Sequence, residues 1–115
     1  MVRGDIYFAD PAPRSGSEQQ GRRPCIIASN DGFNAAGGWR TVTVVPLTSA
    51  GNWIRQSPIS VVFQKGECGL PKTCVALAHQ ITTIDRQKII PQKIGSLSAD
   101  KLAELDQAIR NYLAV

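Results

Sequence analysis

The chain has 115 residues, 13 Lys plus Arg against 9 Asp plus Glu, one His, and a formal net charge of +4. That length suits one domain over residues 1–115 able to bury a core without staples, and 43% hydrophobic content argues against disorder. No apolar run approaches the roughly 18 residues a membrane span needs. Asp5 stands where a secretory signal would continue its apolar region, so the expectation is a cytoplasmic protein.

In chain order, Ile6, Phe8 and Ala9 predict a short strand that breaks at Asp10-Pro11-Ala12-Pro13. Residues 11–21, polar and rich in turn formers, predict a long loop of the kind that often carries function. A buried strand is expected at 24–28, one short helical turn within 30–36, and a strand at 41–47. Pro46 argues that this strand lies at an edge or carries a bulge. Two further strands, 57–64 and 73–83, flank the turn 65–71 and suggest two successive hairpins. The period then changes: Ser98 is a plausible N-cap, Asp100 suits a helix N-terminus, and Leu102, Leu105, Ile109, Tyr112 and Leu113 make an amphipathic stripe. The fold class is mainly β, an antiparallel barrel or sheet closed by a C-terminal helix.

Cys25, Cys68 and Cys74 cannot all pair and form no Cys-x-x-Cys spacing, which fits a reducing compartment. With His79 they total four zinc ligands on paper, but without close pairs Cys25 and Cys74 read as small buried hydrophobes. No metal or other cofactor is expected. Between Gly32 and Lys93 seven cations (Arg40, Arg55, Lys65, Lys72, Arg86, Lys88, Lys93) face only Glu67 and Asp85, a surface that attracts polyanions or is simply solvated.

Chemistry concentrates in two segments. Glu18-Gln19-Gln20-Gly21-Arg22-Arg23-Pro24 sets a carboxylate five residues before an arginine entering a strand, and Thr48-Ser49 delivers two hydroxyls where another strand ends. A guanidinium matches two phosphate oxygens and a hydroxyl can donate to a third, so the set suits a phosphodiester, although a surface Glu–Arg ion pair has the same spacing.

Arg3-Gly4-Asp5-Ile6, residues 16–24, Ser29-Asn30-Asp31-Gly32-Phe33-Asn34, Val45-Pro46-Leu47-Thr48-Ser49, Gly69-Leu70-Pro71-Lys72, Gln80-Ile81-Thr82-Thr83-Ile84-Asp85 and Ile94-Gly95-Ser96-Leu97 occur in that order. Together they resemble the MazF/PemK toxin family over nearly the whole chain. The resemblance implies an SH3-like barrel with added helices, a homodimer, and a ribosome-independent, metal-independent endoribonuclease. Such a toxin cuts single-stranded RNA to a 2′,3′-cyclic phosphate and a 5′-hydroxyl, and a protein antitoxin occupies its RNA groove. It places Glu18, Arg23 and Thr48 on catalytic positions, with Ser49 beside Thr48 and Gln19 and Arg22 as substrate contacts. The alternative on the same fold is a CcdB-like gyrase poison without catalysis, from which the Glu18-to-Pro24 and Thr48-Ser49 segments distinguish this chain.

The PemK branch carries an arginine and an aspartate two residues apart where this chain has Leu77 and His79. By period 2, His79 shares a strand face with Val75, Leu77 and Ile81, which favours a hydrogen-bonded core histidine over a catalytic one. Acid–base work near neutral pH would nevertheless suit the chain's one histidine, and it stays among the candidate substrate-binding residues. Trp39 and Trp53 sit in polar or Gly-flanked turns. Trp53 is the better candidate to stack on a base, since the resemblance places residues 49–56 near the RNA.

Overall fold

The computed structural model describes residues 1–11, 21–49, 51 and 54–115. Seven strands and two α-helices follow one another as β1 (Asp5–Ala9), β2 (Arg23–Ile27), α1 (Asp31–Asn34), β3 (Thr41–Thr48), β4 (Ser60–Phe63), β5 (Cys74–Leu77), β6 (Thr82–Asp85), β7 (Ile89–Ser96) and α2 (Ala99–Leu113). All pairings are antiparallel, in the order β4-β5-β3-β2-β1-β7, with β6 also on β3.

Cys25–Ile27 of β2 and Val44–Leu47 of β3 are buried on both faces and read as continuous apolar runs. The pleat sends Ile6, Ile26, Val45 and Leu47 into one cluster, which Leu105 and Ala108 of α2 cover. Tyr7, Ala9, Cys25, Ile27, Val42 and Val44 enter a second, closed by Ile84 of β6 and Ile89 of β7. Helix α2 begins as its sequence predicts: the Ser98 side chain accepts from the Lys101 backbone N–H at 3.2 Å, and Asp100 lies in the first turn. Its last turn leaves Tyr112 and Leu113 half-exposed. Arg3 ties the two ends of the sequence together, donating to Asp106 of α2 at 2.6 Å and to the Ala28 carbonyl at 2.9 Å.

The structure corrects several expectations. β3 is a central strand, not an edge. On its outer side it pairs with β6 as far as Val44 and with β5 from Leu47, and Pro46 falls in the gap, where a missing N–H breaks no ladder on that side. Residues 73–83 are not one strand. Ala78–Gln80 forms a 3-10 turn, so β5 makes a hairpin with β4 while β6 pairs with β3, replacing the second hairpin. β7, which the sequence did not announce, pairs with β1 through a shifted register. The barrel is a wrapped sheet that no strand ladder among the described residues closes. Its two ends meet where the 3-10 turn Glu67–Gly69 lies against Ile94 and Gly95 of β7.

No helix among the described residues is long and apolar enough to cross a membrane.

Candidate functional site

β2 begins and β3 ends at the same margin of the sheet. Gly21, at φ +137°, takes a conformation that L side chains rarely adopt and delivers the chain to Arg23. The β2–β3 ladder ends at the pair Cys25–Pro46, and Arg23 precedes Cys25 by two residues as Thr48 follows Pro46 by two, so both lie just beyond that pair at the same end of the two strands. A guanidinium and a hydroxyl that are 25 residues apart in the chain are thus brought to one margin of the sheet.

Both line an open-sided groove of about 380 Å³. Its cations are Arg22, Arg23 and Lys72, its hydroxyls Thr48 and Ser49, and its apolar surface comes from Phe8, Pro24, Leu47, Leu70 and Pro71. None of the described lining residues is acidic. The wall made by residues 70–72 is held from behind. Glu67 accepts from the Gln64 N–H at 3.0 Å, and Lys101 donates to the Val62 carbonyl at 2.7 Å while standing 3.7 Å from Glu67.

Cys74, only 5% exposed, completes the lining, and burial first, then the nearby Cys68, pushes its thiol up to about 11. Burial raises the Cys25 thiol to about 12. Both are the packed hydrophobes their sequence context suggested. All three cysteines are free, and no three His, Cys, Asp or Glu among the described residues converge to hold a metal ion.

Of the expected site residues, the structure brings Arg22, Arg23, Thr48 and Ser49 together. Glu18, Gln19 and Trp53 lie outside the described residues. His79 does not line the groove. It sits in the 3-10 turn Ala78–Gln80 rather than on a strand face, half-buried, its ring edge-on to Tyr112 with centroids 6.1 Å apart. Trp39 packs on Phe33 at 4.8 Å, just before the far end of β3, whose length puts roughly 23 Å between Thr41 and the groove.

The cationic middle of the sequence does not gather at the site either. Of its seven positive residues only Lys72 lines the groove. Arg86 instead binds the Phe33 and Asn34 carbonyls, and Lys93 faces Asp5 at 3.9 Å. Sequence reasoning missed Phe8 and the wall 70–72 as parts of the site. The Gly-Leu-Pro-Lys motif was a signal for the wall, but nothing in Ile-Tyr-Phe-Ala marks which ring faces out.

Fold and groove define a small antiparallel β protein with a cationic, hydroxyl-bearing cleft where two central strands meet. The chain belongs to the family of PemK-like, MazF-like toxins of type II toxin-antitoxin systems, whose model matches residues 2–113. It is 38% identical over 116 residues to endoribonuclease MazF9 of Mycobacterium tuberculosis, across 98% of this chain and 96% of that relative. Among solved structures, MazF of Deinococcus radiodurans superposes with a TM-score of 0.77 at 24% identity, covering 100% of this chain and 97% of its own. A mycobacterial endoribonuclease in complex with its cognate antitoxin gives 0.76 at 23%, covering 100% and 96%. At these identities the structural likenesses establish the fold.

Proposed function

We propose that this chain is a cytoplasmic, metal-independent endoribonuclease, the toxin of a type II toxin-antitoxin pair, which cuts single-stranded RNA at short sequences. The observation that carries the reading is the convergence of Arg23 and Thr48 in one cationic groove. The endoribonuclease named among its relatives supports it.

In the reaction, the RNA's 2′-oxygen bonds to phosphorus as the bond to the 5′-oxygen breaks. The 2′-OH loses its proton to a base and the departing oxygen gains one, leaving a 2′,3′-cyclic phosphate and a 5′-hydroxyl. Arg23 offsets charge on the phosphorane through its two-pronged guanidinium. Thr48 donates to a non-bridging oxygen, with Ser49 beside it. Glu18 polarises the 2′-OH or orients Arg23, while Gln19, Arg22 and Trp53 hold the strand. Three side-chain cations among the described lining residues supply positive charge, and the scheme invokes no metal.

The working unit is a homodimer carrying twice the +4 charge, and an acidic antitoxin competes with RNA for its groove. Incubating the purified protein with a long RNA in EDTA tests the reading. Discrete fragments with cyclic-phosphate ends are expected, and intact RNA or 5′-phosphate ends would refute it.

A further inference from the structure

β1 is buried along its length except at Phe8. Asp5, Ile6, Tyr7 and Ala9 are inside, while the Phe8 side chain is 38% exposed. The pleat explains its direction. Phe8 shares a face with Ile6, and the register sets Ile6 against Ile26 and Phe8 against Pro24, so the ring continues the row of the main core. Leu105 covers that core farther in, but at Phe8, Pro24 and Leu47 the same apolar face opens into the groove beside Arg22, Arg23 and Lys72. A flat ring next to several cations offers what one nucleotide requires, a π face for the base and positive charge for its phosphate.

We propose that Phe8 is the stacking platform for a base flanking the phosphate held by Arg23 and Thr48, with Pro24 beside it and the buried Leu47 beneath. This rests on the endoribonuclease reading above. Phe8 grips and places the strand without taking part in bond making, so its loss is felt in KM more than in kcat.

The wild-type protein first maps a cut site on a long RNA. A short RNA spanning that site, 2′-O-methylated at the cleaved nucleotide so that it binds without reacting, is the probe. Phe8→Leu keeps apolar volume and removes the ring, and it should bind the probe about ten-fold more weakly, with the same factor in KM on the unmodified RNA and kcat nearly unchanged. Phe8→Trp should retain affinity. Replacing the probe's bases one at a time by abasic residues should reveal one position, beside the cut, whose loss weakens wild-type binding about ten-fold but Phe8→Leu no further.

Equal affinity of Phe8→Leu and wild type, or additive losses at every position, overturns the stacking role and leaves the nuclease reading standing. No cut by the wild type overturns that reading itself and the proposal with it. A halved mass in solution for Phe8→Leu makes the ring a contact between two copies and also overturns the proposal. Phe8→Trp gives a readout that survives a folding failure of Phe8→Leu: the intact probe should quench its added indole emission and the abasic probe should not. Emission insensitive to the probe counts against the proposal.

Discussion

The α-carbons of Gly69 and Gly95 face each other with no room for a side chain on either. A Cβ on Gly95 would fall 3.2 Å from the Gly69 α-carbon and collide with the Cys68 carbonyl, and one on Gly69 would stand 2.5 Å from the Ile94 carbonyl oxygen. This backbone contact presses the groove wall against β7. Gly95→Ala is expected to cost about 1–3 kcal/mol, because backbone must move, and to lower the melting temperature by several degrees. Gly37, with nothing within 4 Å of its hypothetical Cβ, is the control and should tolerate alanine. Thermal unfolding of the two variants side by side checks this, and cleavage should fall with the first only.

Arg23→Ala is expected to remove nearly all cleavage while leaving the melting temperature close to wild type, since the side chain points into the groove from the first residue of β2. Losing one transition-state contact of this kind costs about 3–4 kcal/mol. Arg23→Lys should recover little, because a point charge lacks the planar fork. Full single-turnover activity in the lysine variant would rule out the assigned role.

For Thr48 the informative comparison is between two small replacements. Thr48→Ala loses the hydroxyl and should be strongly impaired, whereas Thr48→Ser keeps a donor and should retain much of the rate. Initial rates on one RNA decide it. Equal impairment of both would shift the role to the methyl group.

His79 stands against Tyr112, away from the groove lining. His79→Gln is therefore expected to cleave at close to the wild-type rate, with a small loss of thermal stability. A folded His79→Gln protein devoid of cleavage would return the histidine to the site.

The buried thiols predict an alkaline limit. Below about pH 9, the ordinary value, folded and unfolded Cys25 both keep their protons. Above it the unfolded chain ionises, while the folded thiol holds on until about 12. Folded-state pKa above unfolded means that stability is lost as pH rises through this window, and Cys74 adds to the loss up to about 11. Melting temperature should decline from about pH 9 upward, and Cys25→Ala should start lower yet decline less. Parallel curves for the two proteins would contradict this.

Which parts of the molecule were legible in the sequence follows from what each residue does locally. α2 shows a cap, a first-turn acid and a 3.6-residue period, and its start is where those signals put it. β7 escapes notice because Pro91, Gln92, Lys93 and Gly95 interrupt any alternation, as befits an outer strand with a shifted register. The 3-10 turn Ala78–Gln80 is invisible for the opposite reason: it lies inside an apolar run whose composition suits a strand throughout. At the site, Arg23 and Thr48 were marked by family motifs, but their adjacency is a product of strand register. The exposure of Phe8 depends on where α2 and the 65–71 turn stop covering the core face, which no local pattern encodes.

Because β1 pairs with β7, and because the turn behind the groove wall packs on Gly95, the placement of that wall depends on the last strand of the sheet. Contacts so far apart in sequence form late, after loop closure has been met by nearly the whole chain. A ribosome that has made β2 and β3 has already emitted Arg23 and Thr48, yet nothing holds the opposite wall in place. The two sides of the groove therefore come into place only once most of the chain is available to fold.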